Sequence, residues 1–278
     1  VVRSLLSILL VFMGLCCFSQ NKSVLFVGNS YTQCNGGLEK MFASLAASKG
    51  YVVETEAAAV GGFSLKKHCN RPETIEKINS RLWDYVVLQE LSLNPCYPPE
   101  AVDTLTYPYA KILSDLVHDN SICTNLVFYM TWGRKNGYTY DTTYMPLCTF
   151  DGMQERLCES YCEMANDNNG IVAPVGMAFK FTKDYFPDIN LYVEDNSHPS
   201  AEGTYLAACV FYATIFKETP IGASYIYTLT PETASTLQSV ADEVVFGKYK
   251  KWRLNENAEC MVLNETKRSL PNFNNLVS

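Results

Sequence analysis

The sequence predicts an α/β fold: a three-layer sandwich with a mainly parallel five-stranded sheet held between two layers of helices. Two patterns and the composition carry this expectation. Short apolar runs at residues 24–27, 51–53, 85–88, 126–130 and 171–175 have the length and continuity of strands buried on both faces. Between them lie stretches whose apolar residues recur at helical spacing, and strands alternating with helices pack as parallel βαβ units with right-handed crossovers. The chain has 278 residues, 47% hydrophobic and 18% charged, the composition of an ordered globular body large enough for one core.

Taken in chain order, residues 1–19 open with Arg3, run uncharged and apolar over 5–15, and close on Cys16, Cys17, Phe18 and Ser19. That pattern predicts a signal peptide cleaved near Ser19 and an exported protein, periplasmic or extracellular. A lipid anchor on Cys16 or Cys17 is the less favoured reading, because Leu15 or Cys16 stands where such a site wants a small residue. No later segment reaches the roughly 18 apolar residues that a membrane helix requires, so no membrane span is expected. One domain is expected over 22–247, followed by a polar tail over 248–278.

Within the domain, Leu38, Met41, Phe42 and Leu45 mark one face of a first helix. Val102, Leu105, Tyr109, Ile112, Leu113 and Leu116 mark a long one. Residues 201–217 form a helix apolar nearly all round, and a last helix is expected over 231–245. The net charge of −7 argues against nucleic acid and anionic membranes as partners. Beyond the leader stand Cys34, Cys69, Cys96, Cys123, Cys148, Cys158, Cys162, Cys209 and Cys260, an odd number, so at least one is expected to be free. Cys158 and Cys162 lie four apart with Cys148 nearby, but no histidine or second short pair completes a metal site, and none is predicted.

Two motifs carry chemistry. The run VLFVGNSYT ends a strand and begins a helix, which places Ser30 beyond the carboxyl edge of the sheet, where backbone N–H groups point at a developing oxyanion. No Gly-Lys-Ser/Thr follows, which removes a phosphate-binding loop. Far along the chain, Asp195 and His198 are three apart, just before a helix that Ser200 can cap. A serine hydroxyl becomes nucleophilic when a histidine takes its proton, and the histidine works best with a carboxylate to orient it. Of the other histidines, His118 reads as a surface residue at a helix end, and His68 lacks a carboxylate nearby in sequence.

Gly28-Asn29-Ser30 near the start, with Asp195-Asn196-Ser197-His198-Pro199 before the last large helix, resembles the SGNH or GDSL hydrolases in residue type, order and position over about residues 22–218. The resemblance implies the flavodoxin-like fold of that family, with a catalytic domain and a Ser30–His198–Asp195 triad. It also implies no cofactor and a serine esterase acting through an acyl-enzyme. The oxyanion donors it implies are the N–H of Ser30, that of Gly61 or Gly62 in AAAVGGFSLKKHCN, and an amide side chain after the third strand. No Gly-x-Asn-Asp is present, and YVVLQELSLNP offers Gln89, with Asn94 second. Carbohydrate acetylesterase branches show a similar Gln-Glu pattern there. Asn29 replaces the usual Asp, and GGFSLKKHCN is similar to bacterial members in which His68 would line the site. The loop over 131–146 holds Trp132, Tyr138, Tyr140 and Tyr144, placed by this reading at a pocket rim where rings suit sugar faces. The expected substrate is a small acyl ester or acylated glycan. A glycan-binding protein on the same scaffold, a thioesterase and a lysophospholipase are the alternatives.

Overall fold

The computed structural model describes residues 21–140 and 143–255; the expected leader over 1–19 and the chain beyond 255 lie outside them. Five strands, β1 (Lys22–Gly28), β2 (Val53–Ala59), β3 (Tyr85–Leu88), β4 (Asn125–Tyr129) and β5 (Ile171–Ala173), form one sheet in the order β2-β1-β3-β4-β5. Every neighbouring pair is parallel. This is the doubly wound order in which the strand sequence reverses beside β1, and ligands bind beyond the carboxyl ends at that switch.

One helical layer holds α2 (Leu38–Ser48), α8 (Val175–Tyr185), α9 (Ala201–Phe216) and α10 (Pro231–Phe246), which pack on one another. The other holds α4 (Pro72–Asn79), α6 (Tyr107–Asn120) and α7 (Phe150–Asp167), with the short α3 (Leu65–Cys69) and α5 (Pro99–Leu105) beside them. Along α9 every residue from Gly203 to Ile215 is buried, because sheet, α2, α8 and α10 all meet it. Its Phe211 stands edge-on to Phe26 of β1 at 5.1 Å.

Three expectations move. The strand expected at 51–53 lies at Val53–Ala59. It is an edge strand with exposed Glu54 and Glu56, so alternate positions in its first half carry no apolar signal, and Arg81 and Lys77 cover the edge through ion pairs. The long helix expected across 102–116 is two helices broken at Thr106, since Pro108 in the first turn of α6 has no N–H and its ring excludes the carbonyl four residues back. The body also continues past 247. Trp252 and Leu254 are buried, the Trp252 carbonyl accepts from Val172 N–H of β5 at 3.1 Å, and its indole donates to Val244 O at 2.9 Å.

The register pairs Gly28 with Ala59 and Val27 with Leu88, which brings the carboxyl ends of the three strands around the switch to within one residue of each other. The turns that follow, residues 29–30, 60–63 and 89–94, therefore converge.

Candidate active site

Ser30 opens α1 (Ser30–Gln33), a single turn whose N-cap is Asn29. Asn29 has extended backbone, and its Oδ1 accepts from Tyr31 N–H at 3.2 Å, which satisfies one of the donors that a helix start leaves open. Its Nδ2 donates to Phe63 O at 3.0 Å and Glu90 O at 3.4 Å, tying the serine's turn to the turns after β2 and β3. Gly28 is required by close approach: a Cβ there would stand 2.5 Å from Gln89 Oε1 and 2.6 Å from Thr32 Oγ1.

Asp195 and His198 sit on a hairpin-like excursion before α9, closed by Val193 N–H to His198 O at 3.0 Å and a bridge between Tyr192 and Pro199. Asp195 Oδ1 accepts from the backbone N–H of Ser197 and of His198, each at 2.9 Å, and Asn196 adopts φ 58°, which Asn tolerates better than most residues. The turn aims the second carboxylate oxygen at the ring. His198 Nδ1–H donates to Asp195 Oδ2 at 2.5 Å, which leaves Nε2 as the acceptor for the Ser30 hydroxyl at 2.8 Å. Burial pushes the Asp195 carboxyl up, but the bonds from the His198 ring and from the two backbone N–H groups outweigh it and hold its pKa below the usual value.

Other expected site residues fall into place differently. Gln89 does not face the serine. It is fully buried, its Nε2 donates to Asn29 Oδ1 (2.7 Å) and Glu90 O (3.1 Å), and its Oε1 accepts from Asn29 N–H (3.1 Å) and Thr32 Oγ1–H (2.8 Å). With both amide hydrogens committed, Gln89 is a brace under the nucleophile's turn and has no donor left for an oxyanion. Asn94 is half-buried and gives one amide hydrogen to Glu90 Oε1 at 3.3 Å. Gly61 and Gly62 are exposed in the turn after β2, which Val60 N–H straps to Gly28 O at 3.1 Å; Gly62 holds φ 70°.

Neither His68 nor Trp132 lines a pocket. His68 is fully buried, donating from Nε2 to Gly28 O at 2.8 Å and accepting at Nδ1 from Thr74 Oγ1–H at 2.9 Å. Burial lowers its pKa to about 4, so it stays neutral and acts as a strut. Trp132 is also fully buried, stacked at 3.9 Å on Phe179 and at 4.8 Å on Tyr31, with its indole donating to Ser197 O at 3.0 Å. Its ring supports the histidine's loop from below because the sheet edge and α8 leave it no route to solvent.

Several residues that join the Ser30 turn to the Asp195–His198 segment were not singled out from the sequence. Tyr31 OH and Ser197 Oγ share a buried hydrogen bond at 2.6 Å, and the Tyr31 ring meets the His198 ring edge-on at 5.3 Å. Asn35 Nδ2 reaches Ser200 O at 2.9 Å and Thr204 Oγ1 at 2.7 Å. Its signal was an Asn before paired glycines, which reads as an ordinary turn. Glu90 is fully buried, with Oε1 accepting from Leu65 N–H (3.2 Å) and Leu91 N–H (2.6 Å) while Oε2 has no partner. Burial raises its pKa to about 8. Among the described residues, no three His, Cys, Asp or Glu side chains are grouped to hold a metal ion.

No family model matches the chain, and no curated protein does. Solved structures do. A DUF4886 family protein from Bacteroides uniformis superposes with a TM-score of 0.69 at 17% identity, over 82% of this chain and 96% of that one. A variant of Axe2, an acetyl xylan esterase from Geobacillus stearothermophilus, gives 0.52 at 15% identity, over 74% and 97%. Both likenesses are of fold. A candidate SGNH hydrolase from Slackia heliotrinireducens gives 0.56 at 28% identity, over 70% of this chain and 99% of that one. That likeness supports the SGNH/GDSL hydrolase family, and in this chain Ser30, His198 and Asp195 are hydrogen-bonded in turn at the switch of a 2-1-3-4-5 sheet.

Proposed function

We propose that the protein is an exported serine esterase that removes small acyl groups, acetyl foremost, from carbohydrate. The observation that carries the reading is the continuous chain from Asp195 through His198 to the Ser30 hydroxyl, 2.5 and 2.8 Å per link. Ser30 Oγ attacks the ester carbonyl carbon while His198 Nε2 takes the hydroxyl proton, and Asp195 stabilises the imidazolium. The carbonyl oxygen, now negative, receives the Ser30 N–H, an open donor at the start of α1, and N–H groups of the Gly61–Gly62 turn. Asn94, with one amide hydrogen uncommitted, replaces Gln89 as the third donor in this reading. Collapse of the tetrahedral adduct expels the alcohol with the proton from His198 and leaves the acyl group on Ser30. Water, deprotonated by the same nitrogen, then attacks the acyl carbon and releases the acid and the free serine.

Openness favours a small acyl group on a bulky carrier, since the side chains of His198 and Asp195 are 35% and 48% exposed and no deep acyl tunnel is needed. Export rests on the leader-like residues 1–19; among the described residues, no helix is long and apolar enough to cross a membrane.

A fluorophosphonate probe together with 4-nitrophenyl esters of increasing chain length tests the proposal. Wild type is expected to be labelled and to prefer the acetate, and Ser30→Ala is expected to lose both labelling and turnover. Absence of labelling in wild type would leave a glycan-binding protein, and a strong preference for long chains would favour a lysophospholipase or thioesterase.

A further inference from the structure

Arg134 stands in the loop that follows β4, and the backbone on either side of it is pinned to the segment bearing Asp195 and His198. Gly133 O accepts from the Tyr192 hydroxyl at 2.7 Å, and Lys135 N–H donates to Asn196 O at 2.9 Å. The guanidinium lies over the Tyr138 ring, 5.0 Å from its centroid, and its Nε is buried without an acceptor. Three other arginines, Arg71, Arg81 and Arg156, each hold a glutamate. Arg134 holds none among the described residues, in a chain where Asp and Glu outnumber Lys and Arg by 29 to 22. Lys135 beside it spends its ammonium on the neutral Asn190 side chain at 3.1 Å. The loop that carries Arg134 is thereby held against the segment that carries His198.

A planar, permanently charged fork, kept in place by a ring and lacking an internal acid, is the arrangement that takes a carboxylate by paired N–H donors. The geometry points to Arg134 as a specificity residue that binds a carboxylate on the carrier, making the substrate an acyl ester of an acidic, uronate-type glycan. The esterase reading supplies what is done to the ligand, and Arg134 decides which ligand is chosen. The chain's net charge of −7 disfavours an acidic carrier in general, so a local cation counts for more in its approach.

The full chain is compared on an acetylated oligogalacturonate and an acetylated xylo-oligosaccharide of equal length, which differ in the carboxylate. Wild type is expected to favour the acidic carrier in kcat/KM by about tenfold, the size of one charge-assisted hydrogen-bonded contact, with the preference shrinking as salt rises. Arg134→Gln is expected to bring the ratio near one, and Arg134→Lys to fall between. The same ratio is read as binding by calorimetry in Ser30→Ala and in Ser30→Ala/Arg134→Gln, where no turnover is needed. Preference present in Ser30→Ala and lost in the double variant upholds the carboxylate site even if wild type cleaves neither ester, a result that would sink only the esterase reading. No preference in Ser30→Ala, or one that survives Arg134→Gln, overturns the carboxylate site while leaving cleavage of both acetates to support the esterase.

Discussion

The two segments that meet at the site are built on opposite terms. The nucleophile's turn is buried and braced by side chains from three directions, with Gln89 beneath it, Asn29 tying it to the neighbouring turns, and His68 gripping the Gly28 carbonyl. The Asp195–His198 excursion is open to solvent and takes its shape from backbone hydrogen bonds to a single carboxylate, with Trp132 and Tyr31 holding it from underneath. The difference teaches that a nucleophile needs immobility, while its base must admit substrate and water. Changes to the braces around Ser30 should therefore act through folding, and changes in the second segment through chemistry.

Asp195→Asn is the sharpest way to break that comparison. Asn can still accept from the Ser197 and His198 N–H groups, so the loop keeps its shape, but its amide then donates to His198 Nδ1 and forces a hydrogen onto Nε2. The ring can no longer accept the Ser30 proton, and kcat is expected to fall by about 10⁴, the size seen when a triad aspartate is so replaced. Thermal unfolding should stay within about 0.5 kcal/mol of wild type because the group is exposed. A large loss of stability would show that the open segment is structural too.

Glu90→Gln tests the buried side. Because the Glu90 pKa is about 8 in the fold against 4.5 for the free side chain, folding favours the protonated form. Stability from this group is complete below pH 4.5 and is lost as pH rises through about 8, at up to about 1.4 kcal/mol per pH unit. Gln keeps the acceptor for Leu65 and Leu91 N–H without the charge, so urea unfolding of the variant should lack that slope and exceed wild type at pH 9. Equal slopes would sink the assignment.

The smallest effect is expected at the junction. Tyr31→Phe removes the hydroxyl that meets Ser197 and leaves a buried Ser197 oxygen with one partner fewer, a cost of about 1–2 kcal/mol in stability. Because the ring stack on Trp132 survives, kcat for 4-nitrophenyl acetate should drop tenfold or less. A collapse of activity would mean that this one bond, and not the stack, sets the distance between base and nucleophile.

Much of this was legible in the residues. Buried parallel strands announce themselves as unbroken apolar runs, so β1, β3, β4 and β5 stood near their expected places, whereas edge strand β2 hid behind Glu54 and Glu56. The hydrogen-bonded set of Ser30, His198 and Asp195 was legible as a candidate because its chemistry restricts residue types. Roles that depend on which way an amide or ring turns were not. Gln89 and Trp132 carry the functional groups expected of a donor and a sugar platform, and the fold turns both inward.

The succession of strands and helices, and the residue types of an early serine and a late aspartate and histidine, follow from the amino-acid sequence by itself, since periodicity and reactive side chains are local properties. Tertiary structure alone decided that Asn29, Gln89, His68 and Trp132 support the site instead of lining it, and that Arg134 lacks an acid among the described residues. The physical reason is that burial and hydrogen-bond partnership belong to pairs of residues far apart in the chain, and only the packed sheet edge brings those pairs together.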